Sequence, residues 1–145
     1  MKVFYIIMLS TIFFSCSDNF EQSYENFTKF NQATLRLKSW FPAFIAADCY
    51  DLKEIHGLDN NNSFGRFSYK NNFRIESLLS DSTVYEKVTF ATLHNFLKKI
   101  IKPVRPDWFI DDDEIQVKTV YRKGYMYLIK SEIDKIIYFT YSKNY

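Results

Sequence analysis

The last third of the chain carries alternating apolar and polar side chains in three consecutive segments, and this pattern constrains the fold more than any other feature. Residues 115–121, 125–130 and 135–141 each place alternate side chains on one face of an extended chain. Lys123-Gly124 separates the first two segments and residues 131–134 separate the last two, which favours tight reversals at both places. The pattern therefore predicts a C-terminal three-stranded antiparallel meander.

Helical periodicity dominates three segments upstream of this meander. Apolar side chains recur at helical spacing in residues 18–37, with Asp18 and Glu21 arranged like a capping box. Asn71 or Asn72 can cap a short helix that ends at Leu79. The third segment, residues 90–101, has an apolar stripe opposite a polar face.

Two strands and a turn lie between the first two of these helices. Residues 49–58 and 64–69 have strand-like patterns, and Asp59-Asn60-Asn61-Asn62 between them favours a hairpin turn. Residues 83–89 are also rich in strand-forming side chains. Helices followed by a meander predict a single α+β domain, in which an antiparallel sheet packs against two or three helices that cover one of its faces.

The N-terminus has the organisation of a secretion signal. Lys2 is followed by an apolar run at positions 3–14, interrupted only by Ser10 and Thr11, and the composition turns polar after Cys16. The run is too short to cross the ~30 Å hydrocarbon core of a bilayer and matches the apolar region of a signal peptide. Ser15-Cys16 resembles the lipobox of bacterial lipoprotein precursors, which implies lipidation of Cys16 and cleavage before it.

This resemblance divides the chain into a signal peptide at positions 1–15 and one lipid-anchored domain at positions 16–145, whose first helix is expected at about 18–37. Two alternatives stay open for the N-terminus: an ordinary signal peptide followed by a chance cysteine, and an uncleaved anchor. The helix at 18–37 is expected either to pack in the domain or to act partly as a tether.

Charge and cysteine content narrow the classes of partner. The chain has 19 basic and 17 acidic residues, which gives no electrostatic footprint for nucleic acid. Its cysteines are Cys16 and Cys49. If Cys16 carries lipid, Cys49 has no partner for an intramolecular disulfide, and burial as a small apolar side chain is the expected role.

The two histidines are the only imidazoles available for catalysis or metal binding. His94 falls on the polar face of its helix, where we expect a solvated side chain. His56 lies near the end of a strand, three residues before Asp59. A His56–Asp59 pair could serve a hydrolase, but a nucleophile and an oxyanion site cannot be placed in the sequence.

Other polar clusters favour ordinary structural roles. The 59–63 loop begins like a calcium-binding loop, but its sixth position is Phe64 and its twelfth is Lys70. The acidic run at positions 111–114 is typical of a solvated loop. No phosphate-binding, zinc-protease or nucleophile-elbow motif occurs, so neither a cofactor nor a metal is predicted.

These observations favour a lipid-anchored envelope protein that acts as a non-enzymatic binding module for a protein or other envelope partner. An immunity or inhibitor protein is one version of this role. Tyrosine suits recognition surfaces, and the candidate surface comprises His56, Asp59, Tyr125 and Tyr127. The alternatives are an envelope hydrolase using His56 and Asp59, and a structural accessory of an outer-membrane complex.

A second, looser resemblance concerns the mature domain. Trp40-Phe41-Pro42, Ile55-His56, Asp59 and residues 64–67 are similar to segments of uncharacterised small bacterial lipoproteins. This resemblance implies no activity. Localisation at the outer membrane is favoured, and the leaflet and the oligomeric state stay open.

Overall fold

The computed structural model of the protein describes residues 18–143. The predicted signal peptide and Cys16 lie outside these residues. The described residues form, in chain order, β1 (Asn19–Asn26), α1 (Phe27–Asn31), α2 (Leu35–Lys38), β2 (Cys49–Gly57), β3 (Asn62–Tyr69), α3 (Asn72–Leu79), β4 (Glu86–Val88), α4 (Phe90–Leu97), α5 (Asp112–Ile115), β5 (Thr119–Lys123), β6 (Met126–Ser131) and β7 (Ile136–Ser142).

The strands form one antiparallel sheet in the order β1-β2-β3-β7-β6-β5-β4. The predicted α+β class and the C-terminal meander of β5, β6 and β7 are therefore confirmed. The last strand lies at the centre of the sheet because it pairs with β6 on one side and with β3 on the other.

Helices cover both faces of the sheet, whereas the sequence pattern predicted coverage of one. On the first face, Leu52, Phe67 and Phe139 pack with Ile75 and Leu79 of α3. We call this the α3 face. On the opposite face, which we call the α4 face, a second cluster forms around Leu93 of α4 and Ile115 of α5. Its strand members include Phe64, Val120, Tyr127 and Ile129. Because alternate side chains of a strand point to opposite faces, each central strand contributes to both clusters.

The prediction of a helix at 18–37 is wrong over its first half. Residues 19–26 form β1, which pairs with β2 along its length, and only the short helices α1 and α2 follow. Phe20 and Tyr24 are four residues apart, and this even spacing places two side chains on one face of a strand as well as on one face of a helix. Asn26 then starts α1 by accepting a hydrogen bond from the Lys29 amide at 3.0 Å.

A second correction concerns the start of the meander. Residues 112–115 form α5, and β5 begins only at Thr119. The acidic residues of the predicted solvated loop lie in the first turn of this helix, where negative charge is favourable because of the helix dipole. Ile115 is fully buried at the end of α5 rather than on a strand.

Several other local predictions are confirmed, although the predicted helix at 90–101 ends at Leu97 and the strand predicted at 83–89 is limited to Glu86–Val88. The 49–58 and 64–69 segments form the β2–β3 hairpin, and Asn71 caps α3 by accepting a hydrogen bond from the Arg74 amide at 3.0 Å. Gly124 has a φ of 56°, which suits the tight reversal between β5 and β6. Among the described residues, no helix has the length and apolarity that a bilayer crossing requires.

Candidate functional site

A fully buried glutamate on β2 is the centre of a polar network at the α3 face. Glu54 has no exposed surface and lies opposite Gln22 of the neighbouring strand β1. The Gln22 amide donates to Oε2 of Glu54 at 2.7 Å and to the carbonyl oxygen of Leu37 at 3.1 Å. The Tyr24 hydroxyl in turn donates to Oε1 of Gln22 at 2.8 Å. The network therefore ties β1, β2 and α2 together.

His56 is the second partner of this carboxyl group. Its Nδ1 atom lies 3.0 Å from Oε2 and 3.1 Å from Oε1 of Glu54. Only 6% of the surface of His56 is exposed. The two residues are adjacent because they are two positions apart on one strand, so their side chains point to the same face.

Burial decides the protonation state of this pair. Loss of hydration raises the pKa of Glu54 to about 8, with a smaller upward contribution from the charge of Glu21, while the Gln22 hydrogen bond acts in the opposite direction. Burial and the charge of Arg36 lower the pKa of His56. Near neutral pH both groups are therefore uncharged, and the protonated carboxyl group of Glu54 donates to Nδ1 of His56.

Trp40 covers the imidazole. The two rings are stacked, with centroids 4.0 Å apart and an interplanar angle of 7°. Phe20 on β1 contributes a further ring at 5.3 Å from His56. The next residue, Phe41, is buried and packs against Phe139 of the central strand, which fixes the backbone at Trp40. Buried hydrogen bonds and stacked rings thus fix the position of an indole that remains partly exposed.

Ser63 on β3 lies directly opposite His56 in the sheet register. Its Oγ atom is buried and makes no hydrogen bond in the described part of the chain. Sequence reasoning missed both Glu54 and Ser63 as neighbours of His56. The signal for Glu54 was present, because it shares a face with His56 on a correctly predicted strand, but Ser63 required the β2–β3 register.

A furrow opens beside Trp40 on the α3 face. It consists of two cavities of about 630 Å³ and 320 Å³, which share Met126 and Tyr141 as a common floor. The larger cavity runs between the 42–44 segment and α3, and the smaller one is bordered by Trp40 and Asn61. Most of the remaining lining is apolar or aromatic, with Phe44, Leu78, Val84 and Tyr85 in the larger cavity.

The charged side chains at the furrow are mostly cationic. Lys123 borders the larger cavity and Lys143 the smaller one. The Lys123 ammonium lies 5.4 Å from the centre of the Tyr85 ring. Asp81 also lines the larger cavity, but its Oδ1 atom accepts hydrogen bonds from the backbone and hydroxyl of Thr83. The furrow therefore combines apolar walls with a lysine at the border of each cavity.

The structure distributes the four residues of the sequence-predicted surface over different environments. His56 contacts Glu54 rather than Asp59, and Asp59 lies exposed in the β2–β3 turn. Tyr127 is buried on the α4 face, where its ring packs 4.4 Å from that of Phe96. Tyr125 is 48% exposed in the β5–β6 turn. Only Asp59 and Tyr125 therefore present much surface to a partner.

His94 is half-buried rather than solvated. Its Nδ1 atom lies 2.9 Å from Oδ2 of Asp112 at the start of α5, and Arg105 contacts the other carboxylate oxygen at 2.6 Å. This cluster joins α4 to α5. In residues 18–143 there is no group of three or more His, Cys, Asp or Glu side chains placed to hold a metal ion.

Comparison with known proteins finds a family that resembles the first part of the described chain. Residues 18–68 match the family model of the YbbD head domain. The matched segment extends from β1 into the last residues of β3, so it includes Trp40, Glu54 and His56 but not the furrow residues Met126 and Tyr141. No curated protein and no solved structure matches the chain.

Proposed function

We propose that the protein is a lipid-anchored binding protein of the bacterial envelope, without enzymatic activity, and that its ligand occupies the furrow beside Trp40. The furrow is the observation that carries this proposal. Sites for ligands are typically concave, mostly apolar and about 300–1,000 Å³ in volume, with a few polar groups at defined positions. The larger cavity of the furrow, at about 630 Å³, lies in this range.

The chemistry of the furrow favours a segment of a partner protein that carries apolar side chains next to acidic ones. Phe44, Val84 and Met126 offer apolar contact area. Lys123 borders the larger cavity and Lys143 the smaller one, and both complement negative charge. An inhibitor or immunity protein that blocks an envelope-acting toxin is one form of this role.

The binding proposal is tested with a pair of matched substitutions. Val84 lines the furrow and is 38% exposed, whereas Val117 is 81% exposed and does not line it. Val84→Arg places a bulky cation in the larger cavity, and Val117→Arg adds the same charge elsewhere. Both variants and the wild type are used as bait in detergent-solubilised membranes, and bound proteins are quantified by mass spectrometry.

We expect a partner that the wild type and Val117→Arg retain and Val84→Arg loses. A partner retained equally by all three contradicts binding at the furrow and supports an accessory role in a larger membrane complex. A small molecule that co-purifies only with the wild type and Val117→Arg identifies a different class of ligand.

Lipid anchoring is supported by the lipobox resemblance at Ser15-Cys16. Replacement of Cys16 by Ser should abolish labelling by a fatty-acid analogue and move the protein out of the membrane fraction. Cys49→Ala is the matched control, because it removes the other cysteine and should leave labelling unchanged. Undiminished labelling of the Cys16→Ser protein would contradict the anchor.

A second candidate function is a serine hydrolase, and the orphaned hydroxyl of Ser63 opposite His56 favours it. In such an enzyme Nε2 of His56 would accept the Ser63 proton as Oγ attacks a carbonyl carbon and the π electrons move to the carbonyl oxygen. The bond to the leaving group would then break as the imidazolium returns the proton to that group, with Glu54 orienting the imidazole. A triad carboxylate has to be ionised to stabilise the imidazolium, and the raised pKa of Glu54 acts against this. Labelling by a fluorophosphonate that is lost in Ser63→Ala would establish the hydrolase, and absence of labelling would exclude it.

A further inference from the structure

We propose that one end of the sheet, marked by the exposed apolar side chains of Leu58, Ile101 and Val104, lies against the phospholipid bilayer that holds the lipid on Cys16. We call it the Gly57 end, since Gly57 of β2, Asn62 of β3 and Ser142 of β7 lie there. The inference rests on the lipid anchor proposed above and adds the orientation of the domain.

The first argument is the distance between the anchor and the fold. Asp18 is fixed at the Gly57 end by two contacts: its carbonyl oxygen accepts a hydrogen bond from the Leu58 amide at 2.8 Å, and its Oδ2 lies 2.8 Å from Nζ of Lys102. Cys16 is two residues earlier. Two residues span at most about 7 Å, whatever their conformation. A lipid on Cys16 therefore holds this end of the sheet close to the membrane surface.

The second argument is the apolar surface around Asp18. Leu58 is 55% exposed, Ile101 80% and Val104 73%. Ile101 and Val104 flank Lys102 and Pro103, and the Lys102 carbonyl oxygen accepts a hydrogen bond from the Asn62 side chain at 2.9 Å. The 101–104 segment is thus attached to the same end of the sheet as Leu58. Exposed apolar side chains at a bilayer surface gain burial in the interfacial region.

The third argument comes from the neighbouring turn between β5 and β6. Tyr125 is 48% exposed there, and its carbonyl oxygen accepts a hydrogen bond from the Ser142 amide at 3.2 Å. Lys123 and Lys143 are exposed beside it. Tyrosine and lysine combine an apolar body with a polar tip, which suits the boundary between headgroups and acyl chains. The Gly57 end therefore presents interfacial side chains across several strands.

This orientation has a consequence for the furrow. Met126 of β6 and Tyr141 of β7 lie at the Gly57 end, and Lys143 directly follows β7, so the furrow lies near the membrane surface in this orientation. Partners that are themselves anchored in the same membrane fit this geometry.

The orientation is tested with matched thiol variants of the lipidated full chain in vesicles of phosphatidylcholine and phosphatidylglycerol. Ile101→Cys places a thiol at the proposed contact. Ile133→Cys places one in the β6–β7 turn at the opposite end of the sheet, where Ile133 is 89% exposed. Each is labelled in native buffer with an environment-sensitive fluorophore, and the labelled wild type serves as a blank for Cys49. Quenching by spin labels on the lipid chains is compared with quenching by aqueous iodide.

We expect the probe at position 101 to shift to shorter wavelength on vesicles, to be quenched by the lipid-borne spin label and to lose quenching by iodide. The probe at position 133 should keep its emission wavelength on vesicles, remain quenched by iodide and escape quenching by the lipid-borne spin label. Equal exposure of both probes to iodide on protein whose Cys16 lipid is verified by mass overturns the orientation but leaves the anchor intact. Absence of lipid from Cys16 overturns the anchor itself, and the orientation with it.

Discussion

Glu54 and His56 show how burial sets the chemistry of single residues in this protein. A carboxyl group without exposed surface is costly to ionise. The charge of Glu21 also raises the pKa of Glu54, and the charge of Arg36 lowers the pKa of His56, so both charges favour the neutral form of the residue that they act on. The pair therefore stays neutral and serves as a donor–acceptor link between the network of Gln22 and the imidazole under Trp40.

This protonation state makes stability dependent on pH. In the unfolded chain Glu54 titrates near 4.5, whereas in the fold its pKa is about 8. Between these values the unfolded state releases a proton that the folded state keeps, so the free energy of unfolding falls as pH rises. His56 acts oppositely below pH 6.5, where the unfolded chain binds a proton that the fold resists. The free energy of unfolding should therefore fall most steeply between pH 6.5 and 8.

Glu54→Gln should remove most of this dependence. The amide can donate to His56 and accept from Gln22, as the protonated carboxyl does, and it does not ionise. Thermal midpoints measured from pH 5 to 9 should be flatter for this variant and higher than those of the wild type at pH 8. Glu25→Gln, at an exposed position, should follow the wild type. A folded variant that keeps the pH slope of the wild type would contradict a raised pKa of Glu54 as the source of this dependence.

Cys49 is the second residue whose environment leads to a prediction. It is 1% exposed at the start of β2, its thiol lies 3.4 Å from Nη2 of Arg74, and burial raises its pKa. We expect folded protein to resist a bulky thiol reagent until denaturant is added, while the engineered thiol at Ile133→Cys reacts at once. Rapid native labelling, or a disulfide-linked dimer on a non-reducing gel, would argue against a buried thiol.

Among the elements, β7 has the largest structural role because it joins the two halves of the sheet. On one side it pairs with β3, which leads to β2 and β1, and on the other with β6, β5 and β4. Ile137, Phe139 and Thr140 have no exposed surface. Phe139 lies on the α3 face, whereas Tyr138, one residue earlier, packs on the α4 face. This central strand therefore contributes to both clusters.

Truncation before Lys135 should unfold the domain. Burial of one large apolar side chain contributes about 1.5–3 kcal/mol, and a domain of this kind has only about 5–15 kcal/mol of net stability. The loss also leaves the backbone groups of β3 and β6 without partners. Circular dichroism should show no cooperative melt. A truncated protein that melts near the midpoint of the full-length domain would show that β7 is dispensable.

At the scale of the whole molecule, one sheet is shared by two clusters. Leu52 lies on the α3 face and Ile129 on the α4 face, and neither has exposed surface. Because the strands between them contribute to both faces, loss of packing on one face disturbs the backbone that supports the other. We therefore expect the domain to unfold as one cooperative unit.

Single-tryptophan variants test this cooperativity. Trp40 reports on the α3 face and Trp108, which packs against the other cluster, on the α4 face. Trp108→Phe and Trp40→Phe isolate each signal. Leu52→Ala or Ile129→Ala should each cost about 2–5 kcal/mol and lower both fluorescence midpoints together with that of circular dichroism. If a substitution lowered the fluorescence midpoint of only one of the two tryptophans, the two faces would unfold as independent units.

Elements whose signals are local could be predicted from the amino-acid sequence. The β2–β3 hairpin followed from two strand patterns around an Asn-rich turn, α3 from its Asn71 cap, and the meander from alternation around Gly124. Each of these signals acts within a few residues, where propensity, capping and turn geometry are fixed by the neighbouring side chains. The burial of Cys49 could be predicted on a different ground, because a cysteine without a disulfide partner is usually buried as a small apolar side chain.

Long-range contacts determine the formation of β1, the coverage of both faces and the composition of the candidate site. The spacing of Phe20 and Tyr24 fits a strand or a helix, and pairing with β2 selects the strand. The partner of His56 is Glu54 rather than Asp59, because side chains two apart on a strand share a face, whereas Asp59 lies beyond the strand in the turn. The insertion of β7 between β3 and β6 forms the floor of the furrow from segments distant in sequence. Such contacts depend on strand order, which no local pattern specifies, since any strand with two apolar faces can occupy the centre of a sheet.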